Sequence, residues 1–173
     1  LTDVAVEAGP DSIAITDVGN LDGAMEFYKS LRAKHLKHIL GCEIYVAEKS
    51  MYYKHNRTTN PYSHLTLLAR NAKGWENLMK LSSDSHTKGM SVRPRVDMDL
   101  LAQHAEGLTV LSGCMSGPVN KLLRREQEAE ARQMAGTLAD MFGREHFFLE
   151  IMRNGMKEQD DLTTAMMRMK DQV

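Results

Sequence analysis

The feature of this sequence that most constrains its fold is the alternation of short apolar runs with longer segments of helical period. The apolar runs are rich in β-branched residues, and such an alternation is typical of βαβ units. We therefore predict an α/β fold with a largely parallel sheet. The predicted strands are Ser12 to Thr16, His38 to Leu40 continued by Glu43 to Ala47, His64 to Ala69, Leu108 to Ser112, and Phe147 to Ile151. The predicted helices are Asp22 to Ala33, Ala72 to Ser83, Met98 to His104, Pro118 to Arg125, Glu128 to Phe142, and Glu158 to Lys170.

Local signals support several of these boundaries. Asn71 and Asp97 each precede a helical pattern and are predicted to be N-caps, and Gly143 follows one as a C-terminal residue. The segment from Lys49 to Asn60 is polar and aperiodic, which predicts an exposed loop. The chain begins at Leu1 within a helical pattern that lacks a cap, so we expect it to be a piece of a longer protein.

Composition excludes several classes of protein. The 22 Lys and Arg residues nearly balance the 23 Asp and Glu residues, so no strong field attracts nucleic acid or an anionic membrane. No apolar stretch approaches the roughly 20 residues that span a bilayer, and no signal peptide is evident, which predicts a cytoplasmic protein without a membrane partner. Two cysteines are too few for a disulfide framework. A length of 173 residues without a linker-like segment predicts a single domain.

Four polar residues lie at or near the ends of predicted strands, where α/β proteins place their reactive groups. They are Asp17 after SIAIT, Glu43 in ILGCEIYVA, His64 at the start of HLTLLA, and Cys114 after LTVLSG. Carboxylate, imidazole and thiolate together are ligands for zinc, or for manganese if oxygen ligands prevail.

Each of these residues also has an ordinary structural interpretation. Asp17 in TDVGN could be a turn residue that binds its own backbone, and Glu43 could pair with an arginine. His64 could be a satisfied histidine at a strand edge, and Cys114 could be a small buried apolar residue. The chain contains no H-x-H, C-x-x-C or H-E-x-x-H motif, no P-loop and no G-x-G-x-x-G, so no short motif decides between the two interpretations.

Four long segments resemble, in the same order, the N-terminal PHP (polymerase and histidinol phosphatase) domain of the alpha subunit of bacterial DNA polymerase III. They are AITDVGNLDGAMEFYKSLRAKHLKHILGCEIYVA, SHLTLLARNAKGWENLMKLSS, RPRVDMDLLAQHAEGLTVLSGCMSGPV and HFFLEIMRNGMKEQ. The resemblance implies a PHP-type seven-stranded β/α barrel, here incomplete because its first strand and last part are missing. Residues 1–173 are then a single partial PHP domain, and the polymerase palm, fingers and DNA-binding domains are absent.

The resemblance also implies a metal cluster at the strand ends. Carried over residue by residue, it assigns Asp17, Glu43, His64 and Cys114 as metal ligands. The family's N-terminal H-x-H and C-terminal D-x-H lie outside this chain. Val18 stands where the family has a ligand histidine, and an isopropyl group cannot coordinate a metal.

Relatives with complete ligand sets resemble metal-dependent phosphoesterases, and some are credited with 3′–5′ exonuclease activity. We therefore expect a part of a DNA-directed DNA polymerase, a nucleotidyltransferase, whose PHP activity requires zinc or manganese and is weakened by Val18; magnesium would serve the absent polymerase site. The expected partners are DNA, through the parent polymerase, and replisome subunits. The alternatives are a decayed scaffold that docks a separate proofreading exonuclease and a free-standing PHP phosphatase. Arg95 in RPRVD is a candidate phosphate contact, with a surface or structural salt bridge as the competing interpretation.

Overall fold

The strands and helices predicted from the sequence are present in the computed structural model, which describes residues 4, 7, 9–53 and 61–170. The strands are β1 (Ser12–Val18), β2 (Lys37–Ala47), β3 (Tyr62–Ala69), β4 (Arg95–Val96), β5 (Leu108–Leu111) and β6 (Phe147–Phe148). The helices are α1 (Ala24–Ala33), α2 (Ala72–Thr87), α3 (Met98–Gln103), α4 (Pro118–Leu123), α5 (Glu128–Phe142) and α6 (Lys157–Met169), with a short 3₁₀ turn at Arg144–His146. Val4 and Glu7 are helical, and the rest of the predicted N-terminal helical segment falls outside the described residues.

Helix boundaries follow the capping chemistry that the sequence predicted. The Asn71 side chain accepts a hydrogen bond from the Gly74 amide at 2.9 Å, and the Asp97 side chain accepts one from the Leu100 amide at 3.0 Å. Helix α5 ends at Gly143, whose φ of 93° suits a residue without a side chain. Within the described residues, no helix is both long enough and apolar enough to cross a membrane.

The sheet is mixed, so the prediction of a largely parallel sheet was wrong. Its strand order is β1-β2-β3-β5-β6, and β4 pairs with the end of β2 beyond β1. The β1–β2 and β5–β6 pairs are parallel, whereas β3 is antiparallel to both β2 and β5. In its described part, the connection from β2 to β3 contains no helix, so β3 can return beside β2 as a hairpin partner. The described strands form an open sheet rather than a closed barrel, and the barrel remains a prediction.

One face of the sheet packs against helices. Alternate residues of β2 and β3 are buried in a core that also contains Leu78 and Leu81 of α2 and Leu138 of α5; these strand residues are Cys42, Ile44, Val46, Leu65 and Leu67. Because successive strand residues point to opposite faces, the residues between them project from the other face. That other face carries Glu43 and His64.

The loop predicted from Lys49 to Asn60 is not wholly exposed. Met51 is buried with 2% of its surface accessible, and its amide donates a 2.9 Å hydrogen bond to Asp97 Oδ2. The part from 54 to 60 lies outside the described residues. A single buried methionine within a polar segment has no periodic neighbours, so the sequence pattern could not reveal it.

Candidate metal centre

Glu43, His64 and Cys114 come together at one edge of the sheet. Glu43 Oε1 lies 2.6 Å from His64 Nδ1, and Cys114 Sγ lies 3.7 Å from the same nitrogen. One potential ligand atom from each side chain lies within 4.8 Å of the others, and all three residues are partly buried. About a quarter of the Glu43 side chain and a fifth of the His64 side chain remain accessible, at 25% and 21%, so the cluster can be reached from solvent.

The mixed pairing of the strands explains why these residues meet. In the β2–β3 register Tyr45 lies opposite His64, so Glu43, two residues before Tyr45, projects from the same face as His64. Since β3 is antiparallel to β2 and β5, its beginning lies beside the ends of both neighbours. The loop that follows β5 therefore delivers Cys114 to His64.

The loop that carries Cys114 is held by backbone contacts and by the side chain of Asn120. Gly113 has a φ of 80°, and a Cβ atom there would lie 2.4 Å from the His64 carbonyl oxygen. The Asn120 side-chain amide donates to the carbonyl oxygens of Gly113 and Cys114 at 3.2 and 2.9 Å. The Ser116 amide donates to Cys114 Sγ at 3.4 Å, a contact that favours the thiolate. These contacts position the sulfur before any ligand binds.

The two cysteines have opposite environments, although both are free thiols. Burial raises the pKa of Cys42 to about 12. The pKa of Cys114 is lowered, chiefly by its hydrogen bond with His64, and the pKa of His64 is raised to about 9 by its hydrogen bonds with Cys114 and then Glu43. A site that favours a thiolate beside a cation is suited to hold a divalent metal, because the metal replaces the proton as the positive charge.

We predict an unusual titration of His64 in metal-free protein. Because Cys114 and Glu43 favour the imidazolium, its midpoint should lie near pH 9 rather than near 6.5. The contribution of this raised pKa to folding stability is complete below about pH 6.5 and is lost as the pH rises through about 9. NMR titration of the imidazole in the presence of a chelator measures the midpoint, and Cys114→Ser and Glu43→Gln should each lower it. A wild-type midpoint near 6.5 would contradict the arrangement described.

Asp17 is not brought into this cluster. It pairs with Cys42 in the β1–β2 register, so it lies on the face opposite to Glu43, and its Oδ2 atom accepts a 3.0 Å hydrogen bond from the Gly23 amide. Val18 lies opposite Glu43, on the face of the cluster, and 49% of its surface is exposed. Of Asp17 and Val18, the residue on the face of the cluster is therefore the one whose side chain cannot bind a metal.

Arg95 is buried, with 2% of its surface accessible, so of the surface and structural interpretations only the structural one agrees with its position. Its guanidinium donates to the carbonyl oxygens of Met51 and Tyr53 at 3.3 Å each and to that of Gly89 at 3.4 Å. Arg95 thus ties the segment after β2 to the turn after α2. Arg95 stays a predicted phosphate contact, and to serve as one its guanidinium would have to become accessible.

Glu150 lies beside the cluster and was missed in the sequence. Burial raises its pKa, and the negative charge of Glu43 raises it further. The available signal was its place shortly after the last strand, in HFFLE, which follows the same strand-end rule that identified the other candidates.

An apolar groove of about 610 Å³ lies between α1 and α2, with Met25, Tyr28, Trp75 and Met79 among its lining residues. It shares no residue with the cluster of Glu43, His64 and Cys114. Its lining is dominated by apolar side chains, so it offers a place to pack against rather than a set of reactive groups.

The ligand set has the composition of a metal centre with open positions. Zinc accepts carboxylate, imidazole and thiolate ligands, and its catalytic sites hold three protein ligands and leave a further position for water or substrate. The three side chains are fixed by a strand register and a restrained loop, so little ordering is required on binding. The residues present therefore fit a divalent cation.

Comparison with known proteins agrees with this picture. The family model described as PHP domain matches residues 1–154. DNA polymerase III subunit alpha of Treponema pallidum is 41% identical over 160 residues, which cover 92% of this chain and 14% of that protein. The subunit of Saccharopolyspora erythraea is 35% identical over 94% of this chain and 15% of its own length, and that of Borreliella burgdorferi is 40% identical over 86% and 13%. The chain thus spans about a seventh of these relatives, and it belongs to the PHP domain family.

Proposed function

We propose that the chain binds a divalent metal through Glu43, His64 and Cys114 and hydrolyses phosphoester bonds with that metal bound. The observation that carries the proposal is the convergence of the three ligand atoms within 4.8 Å of one another at a solvent-accessible sheet edge. Asp17 stays a predicted ligand, and to serve as one its carboxylate would have to leave the Gly23 amide.

The donor set favours zinc among the divalent metals. Thiolate and imidazole ligands suit zinc, whereas manganese prefers carboxylate and water oxygens. Manganese is the alternative if the remaining coordination positions are filled by oxygen atoms. Loading competes with the proton on His64, so affinity should fall as the pH is lowered through the pKa of about 9.

The chain's own residues would hold the cation and keep its ligands in position. A bound divalent cation supplies Lewis acidity toward a phosphate oxygen and an activated water. Glu43 and Cys114 would neutralise the charge of such a cation, and the Ser116 amide and the Asn120 side chain keep the loop that carries Cys114 in place. Such a reaction would require no protein nucleophile, because a water molecule would attack the phosphorus.

We further propose that the substrate is a phosphodiester at a DNA 3′ end and that the chain acts as part of a replicative DNA polymerase in the cytoplasm. The support is that the relatives reported above are named DNA polymerase III subunit alpha. DNA synthesis with magnesium, DNA binding and contacts with other replisome subunits, including a proofreading exonuclease, would then belong to the parent protein. The near-neutral charge of this chain agrees with DNA being bound elsewhere.

A second function is favoured by one observation, the isopropyl group of Val18 in the position opposite Glu43. If the centre has decayed, the domain is a scaffold that docks a separate exonuclease. A free-standing PHP phosphatase acting on small monoesters is the remaining alternative, and the names of the relatives count against it.

We predict that Val18→His raises metal affinity by about tenfold or more. The new imidazole would project from the same face as Glu43, where it can supply a fourth ligand. Isothermal titration of zinc into chelator-treated protein measures the change, and Val18→Leu is a control of similar size without a donor atom. Equal affinity in the His and wild-type proteins would mean that the position lies too far from the metal.

A hydrolysis assay tests the proposed function. Metal-loaded protein is incubated with 3′-labelled single-stranded DNA and, separately, with a small phosphate monoester. Release of the terminal nucleotide that depends on metal and is lost in Glu43→Gln supports an exonuclease, whereas turnover of the monoester alone indicates a phosphatase. Bound metal with no hydrolysis of either substrate would favour the scaffold.

A further inference from the structure

Arg93 is an exposed arginine that lies next to the proposed metal centre. Its guanidinium carbon is 5.7 Å from the centroid of the Tyr45 ring, and that ring meets the His64 imidazole edge-on, with 4.9 Å between the two centroids. A single aromatic ring therefore separates the arginine from the imidazole of the ligand set. No ion pair among the described residues involves Arg93, so its charge is available to a ligand.

The segment that carries Arg93 is packed against the same end of the sheet. Strand β4 runs parallel to β2 and begins beside Tyr45, so the residues that precede β4 lie along β2 in the direction of Glu43. Pro94 packs against the turn after β1, because a Cβ atom added to Gly19 would lie 3.2 Å from Pro94 Cγ and 3.2 Å from Tyr45 Cε2. These contacts fix the backbone from which the Arg93 side chain extends.

The charges of the proposed ligands leave a bound phosphate without a counter-charge from the metal. Glu43 and Cys114, as carboxylate and thiolate, would balance the two positive charges of a divalent cation. The negative charge of a phosphodiester then calls for a further cation, and a guanidinium can donate to two phosphate oxygens at once. Two other cations of this region are already engaged, since Arg95 is buried and Lys121 lies 3.7 Å from a Glu48 carboxylate oxygen.

We propose that Arg93 binds a phosphate oxygen of the substrate at the metal centre. This inference rests on the proposed metal-dependent hydrolysis and adds a substrate-binding residue to it. Because the arginine would contact the substrate and not the metal, the open coordination position stays free for water and phosphate. The cation–π contact with Tyr45 holds the guanidinium near the centre before the substrate arrives.

The experiment measures binding of a 5′-labelled single-stranded oligonucleotide to zinc-loaded protein by fluorescence anisotropy. Arg93→Gln should weaken binding by about tenfold or more, because a charge-assisted contact is lost. The slope of log affinity against log salt concentration should fall by about 0.7, the share of one phosphate contact on a single strand. Arg93→Lys keeps the charge without the forked geometry, so it should keep the slope and lose only part of the affinity.

Arg32→Gln is the matched control. Arg32 is also an exposed arginine over a tyrosine ring, with its guanidinium carbon 5.9 Å from the Tyr28 centroid. It lies at the end of α1, before β2 begins, and therefore at the opposite end of the sheet from the cluster. The Arg32→Gln protein should bind the oligonucleotide like the wild-type protein. Zinc affinity should be unchanged in both variants, since neither arginine is a metal ligand.

Inorganic phosphate, titrated into the same zinc-loaded proteins, distinguishes the two kinds of substrate. Phosphate binding that Arg93→Gln weakens, without oligonucleotide binding, would support the contact and indicate a monoester substrate. Equal binding of both ligands by Arg93→Gln and wild-type protein would overturn the inference and leave the proposed metal site intact. An equal loss in Arg32→Gln, or binding of neither ligand by the zinc-loaded wild-type protein, would also overturn it. Absence of zinc from the wild-type protein would overturn the inference and the proposed function together.

Discussion

Removing His64 is expected to abolish tight metal binding. Its Nδ1 atom is the point at which the Glu43 carboxylate and the Cys114 sulfur converge, at 2.6 and 3.7 Å. Loss of a residue that merely orients a ligand costs 10–100-fold in metal affinity, so loss of a direct ligand should cost more than about a hundredfold. Titration of zinc into chelator-treated His64→Ala protein, in competition with a chromophoric chelator, measures the change.

Two controls separate this effect from a general loss of structure. His86→Ala removes an exposed imidazole on α2 that lies outside the cluster, and it should bind zinc like the wild-type protein. Cys114→Ser changes a single atom at the centre and should also bind much more weakly, without the cavity that alanine leaves. Wild-type affinity in both His64→Ala and Cys114→Ser would show that the metal, if bound, is bound elsewhere.

The second large effect is expected at Gly113, where Gly113→Ala should destabilise the protein by roughly 3 kcal/mol or more. A left-handed conformation costs a residue with a Cβ atom about 1–2 kcal/mol, and overpacking adds about 1–3 kcal/mol. Both costs apply here, because φ is 80° and the new Cβ would lie 2.4 Å from the His64 carbonyl oxygen. Chemical denaturation with two-state analysis measures the change in the free energy of unfolding.

Two other glycines serve as comparisons for the Gly113→Ala variant. Gly155 has a φ of 79° with nothing within 4 Å of the added Cβ, so Gly155→Ala reports the backbone cost alone. Gly136 lies inside α5 with open space around it, and Gly136→Ala should stabilise the protein by about 1 kcal/mol. If Gly113→Ala costs no more than Gly155→Ala, the close approach to His64 does not constrain the loop.

Local chemistry explains which parts of the fold could be predicted. Asn71 and Asp97 cap helices because a short polar side chain reaches an amide only three residues ahead, and that information is contained in the sequence itself. The strands β2 and β3 could also be predicted, because their long apolar runs can be read directly from the sequence. The two-residue strand β4 is not, because its pairing with Tyr45 and Val46 depends on the rest of the sheet.

Strand direction is the main feature that could not be predicted. The alternation of strands and helices favours parallel pairing, and the polar segment from Lys49 to Asn60 between β2 and β3 predicts only an exposed loop. That connection reverses β3 and thereby brings His64, near the start of its strand, to the ends of β2 and β5. The three converging residues were all identified as candidates in the sequence, but the reason that they converge lies in this reversal.

The remaining site residues depend on side-chain direction. Asp17 and Val18 are neighbours in sequence and point to opposite faces, so a shift of one residue decides which of them meets Glu43. The environments of Arg95 and Glu150 are set by burial, and burial cannot be predicted from the sequence of a two-residue strand or of a strand end. These four positions show why strand-end chemistry identifies a site more reliably than it identifies each member.

The central claim is that Glu43, His64 and Cys114 hold a metal in the natural sequence, with Val18 in place. Elemental analysis of wild-type protein purified without chelator tests it most directly, with Val18→His measured beside it. The account predicts stoichiometric zinc or manganese in the wild-type protein and its loss in Cys114→Ser. Metal in the Val18→His protein alone would contradict the claim and would indicate a decayed centre kept for its architecture.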